Sequence, residues 1–201
     1  YVFEAIPEFL EKKKALFREM DELRPDGVIF ATNTSQLSIT SVATGCRNRM
    51  RVIGTHWFNP PVLMRLIEVV CGLETADETL RITLALAAKL GKETVVCADS
   101  QGFITTRALA AFRLECIRIL EEGVASVEDI DKAVKLAFNH PMGPFELNDF
   151  NGLDVGYYSA LALEEAFGER FKPPLALRKM VNAGRLGRKT GQGWYRYDKK
   201  S

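Results

Sequence analysis

The rhythm of apolar and polar positions changes once along the chain. Before residues 99–102, short runs of β-branched and apolar residues alternate with stretches whose apolar positions recur at helical spacing. The runs at 1–6, 28–31, 52–53, 66–70 and 93–97 read as strands, and 8–23, 39–43 and 77–90 read as helices. In 8–23 the helical stripe is Phe9, Leu10, Leu16, Phe17, Met20 and Leu23, with Lys12, Lys13 and Lys14 assigned to a solvated face. The helix 77–90 is expected to be capped by Asp77 and stopped by Gly91. Pro25, Asp26 and Gly27 read as a turn. Strands alternating with helices predict a mostly parallel sheet covered on both faces. Beyond Gly102 the strand signal ends. A long helix over 103–122 is apolar on several sides, Ser126 to Asp129 is a capping box opening a helix to 137, and further helices lie near 145–168 and 174–183. The expected organisation is an α/β domain over 1–100 followed by an all-helical domain over 101–201. The first strand has no turn, cap or polar leader before it, so the start of a domain is expected to lie outside this sequence.

Chemistry concentrates around two strands. His56 follows the apolar pair Val52 and Ile53, Pro60 and Pro61 turn the chain, and Glu68 returns within Ile67, Val69 and Val70. A carboxylate in such a run needs a partner, because an unpaired buried charge is costly. The chain has two histidines, and His56 is the natural candidate. A histidine held by a carboxylate is a general base of fixed tautomer, and the same residues equally describe a structural ion pair at a strand end. Thr32, Asn33, Thr34 and Ser35 close another strand with small polar groups, where open α/β sheets place ligands or where a loop caps the next short helix. His140 precedes a proline and reads as part of an ordered loop. The glycine-rich tail at 184–195 lacks P-loop spacing and no strand precedes it; it reads as a turn leading into a short aromatic strand.

Composition narrows the function classes. A net charge of +1 gives no bulk attraction to nucleic acid or membrane, and no apolar run is long enough to span a bilayer. Cys46, Cys71, Cys97 and Cys116 are widely spaced, which predicts reduced thiols in an intracellular compartment. Two distant histidines and unpaired cysteines predict no structural metal site.

Six motifs in order, "VFEAIPE", "FATNTSQLSIT", "GTHWFNPPVLMRLIEVV", "DSQGFITTR", "HPMGPFELNDFNGLD" and "GRKTGQGWY", resemble the 3-hydroxyacyl-CoA dehydrogenase family nearly end to end. The resemblance implies the C-terminal part of a Rossmann-like NAD-binding domain followed by a helical dimerisation domain. It implies NAD as cofactor and oxidation of an L-3-hydroxyacyl-CoA to the 3-oxoacyl-CoA, as in fatty-acid degradation. By resemblance His56 matches the catalytic base, Glu68 its orienting carboxylate, and Ser35 the serine that hydrogen-bonds the reacting oxygen. Glu8, Asn33 and Asn59 match positions that contact or flank the cofactor, and Lys189 matches the tail region that approaches it. Thr106 stands where the family usually has an asparagine beside the substrate oxygen.

The family's Gly-x-Gly-x-x-Gly turn, which binds pyrophosphate, does not occur in these residues, so the chain resembles roughly the last two-thirds of a family member and is expected to be inactive alone. Asn59, Pro60 and Pro61 also resemble the related L-gulonate 3-dehydrogenases, whereas "HPMGPFEL" and "GRKTGQGWY" belong to the acyl-CoA branch. Three functions are therefore carried forward: the acyl-CoA dehydrogenase, a sugar-acid dehydrogenase, and a non-catalytic dimerisation module. The expected setting is a homodimer in the cytoplasm, or in the mitochondrial matrix of a eukaryote, with an acyl-CoA substrate and neither nucleic acid nor membrane as partner.

Overall fold

The computed structural model describes residues 1–23 and 27–197. The expected turn at Pro25 and Asp26 lies outside the described residues. The chain forms two compact units, 1–106 and 107–201.

The first unit is built on one five-stranded sheet in sequential order. Its strands are β1 (Val2–Glu4), β2 (Phe30–Thr32), β3 (Val52–Trp57), β4 (Leu66–Cys71) and β5 (Glu93–Ala98). All neighbours are parallel except β3 and β4, which are antiparallel. The short link between β3 and β4 explains that exception, since a parallel return needs a crossover of a dozen residues or more. Side chains of the central strands alternate between two apolar layers, as the period of two requires. Phe30, Val52 and Val70 pack with Phe17 of α1 (Leu10–Leu23) and with Ile39 and Val42 of α2 (Ile39–Ala43). Ile29, Ala31, Ile53, Ile67 and Val69 pack with Ala87 of α3 (Asp77–Lys89). Gly54 lies where a Cβ would fall 2.6 Å from Ile39 Cδ1, so only glycine lets α2 approach β3 this closely.

Two local features of this unit differ from expectation. Ala76, not Asp77, is the N-cap of α3, and Asp77 and Glu78 occupy its first turn, where their negative charges complement the positive end of the helix dipole. The lysine run is not uniformly solvated: Lys13 is wholly buried. Its Nζ donates to Glu4 Oε1 at 2.8 Å, to the Ile6 carbonyl at 3.1 Å and to the Asn33 carbonyl at 3.0 Å. Thr32 Oγ1 donates to Glu4 Oε2 at 2.6 Å. The pair thus ties β1, α1 and the end of β2 together inside the domain.

The second unit consists of helices α4 (Thr105–Glu121), α5 (Val127–Phe138), α6 (Pro144–Asn151), α7 (Leu153–Phe167) and α8 (Leu175–Asn182), the first two residues of α4 closing the preceding unit. Leu114, Ile117, Phe145, Leu153, Leu163 and Leu177 form its core. Ser126 caps α5 as expected, its Oγ accepting from the Asp129 amide at 3.1 Å. The expected helix over 145–168 is two helices, because Gly152 takes φ +99° and ends the first one. Asp131 accepts from the amides of Phe145 and Glu146 and from the Tyr195 hydroxyl, which fixes the start of α6. The expected aromatic strand in the tail is replaced by a 3-10 turn (Arg188–Thr190) and two isolated bridges, held by Asp149 through the amides of Trp194 and Tyr195. His140 stacks edgewise against Phe112 and Phe138, which agrees with a loop role.

Candidate active site

The antiparallel register places His56 directly opposite Glu68. In such a pair both side chains leave the same face of the sheet, so the twelve-residue separation becomes a contact. His56 Nδ1 lies 2.6 Å from Glu68 Oε2, and both residues are buried. An ionised carboxylate only accepts, so the ring proton sits on Nδ1 and leaves Nε2 as the basic atom. Ser35 Oγ is 3.0 Å from that Nε2. The rings of Phe58 and Phe103 stand 4.6 and 5.9 Å from the imidazole, centroid to centroid, and shield it from water.

Ser35 is held by its own loop. Thr34 Oγ1 accepts from the amides of Gln36 and Leu37 and donates to Glu8 Oε1, and the Ser35 amide donates to the same oxygen at 3.1 Å. Glu8 therefore shapes the serine loop. Asn33 joins strand ends: its Oδ1 accepts from the Trp57 amide at 3.2 Å and its own amide donates to the Glu4 carbonyl at 2.7 Å. Asn59 is exposed in the link between β3 and β4. Thr106 is half-buried in the first turn of α4. Lys189 lies in the helical unit, where its Nζ donates to both Asp154 carboxylate oxygens at 2.6 and 2.7 Å. The structure thus brings Glu8, Ser35, His56 and Glu68 into one connected set, with Asn33 at its margin.

Sequence reasoning missed a further set of contacts. Glu68 Oε1 accepts from the amides of Ile104 and Thr105 at 3.1 and 2.8 Å, and Oε2 accepts from Thr105 Oγ1 at 2.8 Å. These donors are available because Gly102 and Phe103 take positive φ and turn the chain before the helix starts. Gly102 just ahead of a predicted helix was the one local signal, since residues at a helix start keep free N–H groups.

Burial would push the Glu68 carboxyl up, but hydrogen bonds from His56 and Thr105, together with the His56 charge, hold it below the usual carboxylate value. A folded pKa below the unfolded one means that the unfolded state binds protons first. The stability that Glu68 contributes is thus fully present above the unfolded value of about 4.3 and is lost as pH falls through its lower folded value. Urea unfolding midpoints measured at neutral pH and again in that acid window should fall less in Glu68→Gln than in the parent chain; equal losses would show that Glu68 does not carry the linkage.

Comparison with known proteins agrees with this geometry. Residues 1–100 match the family described as "3-hydroxyacyl-CoA dehydrogenase, NAD binding domain", and residues 102–197 match "3-hydroxyacyl-CoA dehydrogenase, C-terminal domain". The chain is 44% identical over 198 residues to a protein of Deinococcus radiodurans named "Probable 3-hydroxybutyryl-CoA dehydrogenase", covering 98% of this chain and 71% of that protein. It is 42% identical to "Hydroxyacyl-coenzyme A dehydrogenase, mitochondrial" of Sus scrofa, covering 98% of this chain and 63% of that protein. The crystal structure of (S)-3-hydroxybutyryl-CoA dehydrogenase from Ralstonia eutropha superposes with a TM-score of 0.96 at 40% identity, over 98% of this chain and 70% of that one. Both units, and the sheet that sets His56 against Glu68, therefore place the chain in the 3-hydroxyacyl-CoA dehydrogenase family, NAD-dependent oxidoreductases with a Rossmann-type NAD-binding domain and a helical C-terminal domain.

Proposed function

We propose that this chain serves the oxidation of an L-3-hydroxyacyl-CoA to the 3-oxoacyl-CoA, with His56 as general base. The observation that carries the reading is the continuous chain Ser35 Oγ, His56 Nε2, His56 Nδ1, Glu68 Oε2, with links of 3.0 and 2.6 Å. Oxidising a secondary alcohol requires removal of the hydroxyl proton as hydride leaves the carbon, and Nε2 is the free basic atom. Glu68 fixes the tautomer and stabilises the imidazolium that forms. In the reverse direction that imidazolium returns the proton to the developing alkoxide. In the structure the Ser35 hydroxyl donates to the unprotonated Nε2; once the substrate hydroxyl takes that place at Nε2, Ser35, and Thr106 in the asparagine's place, donate hydrogen bonds to that oxygen, each such donor being worth on the order of 3 kcal/mol in the transition state.

NAD supplies the hydride acceptor when bound. Glu8 and Asn33, with Asn59 beside them, are the residues of the first unit suited to hold it. The Glu8 side chain is partly exposed, and among the described residues its Oε2 meets only the Lys13 ammonium, at 3.6 Å, so it retains capacity to accept from a ribose hydroxyl. Asn33 uses its Oδ1 internally and keeps its amide N–H groups as donors. Lys189 enters this reading as the partner of Asp154 rather than as a cofactor ligand.

The test of substrate class is a direct comparison of substrates. With these residues joined to a segment that supplies the pyrophosphate-binding turn, NADH oxidation should be seen with a 3-oxoacyl-CoA, and NAD reduction with L-gulonate should be absent; the opposite pattern would assign the chain to the sugar-acid branch. The intact set Ser35, His56 and Glu68 also argues against a module retained only for assembly.

We further propose a homodimer formed through the helical unit. Phe138, Phe150, Val155 and Tyr158 of that unit are each more than half exposed, a cost that a second copy would remove. Light scattering at micromolar concentration should give twice the chain mass, and a monomer would refute the assembly. The setting that suits the unpaired thiols of Cys46, Cys71, Cys97 and Cys116 is a reducing one, the cytoplasm or a mitochondrial matrix. Among the described residues no helix is long and apolar enough to cross a membrane.

A further inference from the structure

Glu68 holds more donors than a base and its partner require. An ionised carboxylate offers about four acceptor positions. On Oε1 they take the amides of Ile104 and Thr105, and on Oε2 they take His56 Nδ1 and Thr105 Oγ1. The carboxylate is saturated, and it cannot rotate without breaking bonds on both oxygens. The two amides are backbone and would be present with any non-proline residue at 105. The hydroxyl is the part that depends on the side chain. It must donate, because the carboxylate only accepts. Branching at Cβ restricts its rotamers, so little freedom is lost in aiming it.

We propose that Thr105 is a positioning residue for the reaction: its hydroxyl shares Glu68 Oε2 with His56 Nδ1 and so sets both the orientation of the carboxylate and the strength of its hold on the imidazole. Two donors on one oxygen divide its electron density, so each bond is weaker than it would be alone. The proton stays on Nδ1, and Nε2 stays the basic atom that faces Ser35. The other titratable group coupled to Glu68 is Cys97 on β5. Burial first, and then the Glu68 charge, push that thiol up to about 11, so it stays neutral and takes no share of the pairing. His56 is the titratable partner whose hydrogen bond lowers the carboxylate, and whose charge adds to that only once the imidazolium forms.

This inference rests on the reading of His56 and Glu68 as base and partner, and the variants separate the two. The readout is the downfield Nδ1–H proton resonance of His56 by NMR of the folded chain, assigned with His140→Gln because the chain has two histidines. Thr105→Val and the smaller Thr105→Ala should move that resonance further downfield, as Oε2 is left to His56 alone. Thr105→Ser should keep it in place. In the assay of a protein that joins these residues to the pyrophosphate-binding turn, and whose unsubstituted form turns over, Val and Ala should lower kcat several-fold with KM for the thioester unchanged, and Ser should restore it. A resonance that does not move, or moves upfield, or a kcat that is unchanged in both Val and Ala, overturns the role of Thr105 even if the melting temperature falls. Glu68→Gln is the reference: it should abolish the downfield signal, and if it does not, the pairing of His56 with Glu68 fails rather than the role of Thr105.

Discussion

In a protein that joins these residues to the pyrophosphate-binding turn, His56→Gln should lower kcat by about three orders of magnitude, within the range general base catalysis supplies, while NAD affinity changes little. Glutamine is close in size and its amide can still meet Ser35 and Glu68, so the surrounding geometry is largely kept. It cannot accept a proton near neutral pH. The loss therefore falls on the chemical step. Glu8 and Asn33, the residues assigned to the cofactor, are held by Thr34, Lys13 and Trp57 rather than by His56. Steady-state kinetics together with calorimetric NAD titration separate the two effects. Near-normal turnover in the variant would remove His56 from the mechanism. Glu68→Gln should act through the same atom but less severely. The imidazolium loses its counter-charge, so the acid limb of the oxidation profile should move to lower pH as kcat falls.

The largest effect on stability is expected at Lys13. Lys13→Met should lower the free energy of unfolding by about 3–5 kcal/mol, because it leaves Glu4 buried as an uncompensated charge. Both side chains are fully buried, and the 2.8 Å ion pair supplies the only cation at Glu4 among the described residues. Thr32 Oγ1 and the Ile6 amide would remain as donors to the carboxylate, at 2.6 Å each, and would not replace the charge. The double variant Glu4→Gln/Lys13→Met should recover part of the loss, since it removes the buried charge as well as its partner. Urea unfolding of the two single variants and the double one gives the coupling. A cost under about 1 kcal/mol for Lys13→Met would place the pair with ordinary surface salt bridges and refute the buried role. The effect should extend to the ligand side, because Lys13 also binds the carbonyls of Ile6 and Asn33, next to Glu8 and the serine loop.

Lys13 also shows where sequence reading fails. Leu10, Lys13 and Phe17 lie on one helical stripe, and all three point inward to some degree, with Lys13 and Phe17 fully buried. The periodicity contained the answer, but three consecutive lysines read as a charged face, and residue type prevailed over position. Burial of an ammonium depends on Glu4, nine residues earlier and on a different element. No local pattern reports that partner. Asp21 repeats the case: it is buried on α1 because Arg47 meets it from a distant loop at 3.0 Å.

By itself the sequence determined the features that short-range period and strict residue chemistry dictate. The runs of β-branched residues, the helical stripes, the change of rhythm near Gly102 and the need of Glu68 for a partner are of this kind. The pairing with His56 was legible because a short link between two strands leaves only an antiparallel return, which brings residues on its two sides together. Ser35 was reached through resemblance, since a serine in a polar loop has no period to betray it. The tertiary structure alone decided the rest. Thr105 reaches Glu68 across 37 residues, through a turn set by positive φ at Gly102 and Phe103. That contact depends on how the strand and the helix start are packed, and side-chain donors carry no mark in the sequence of the acceptor they will meet. Period and composition act within a few residues, whereas the saturation of the Glu68 carboxylate is a property of three chain segments folded to one point.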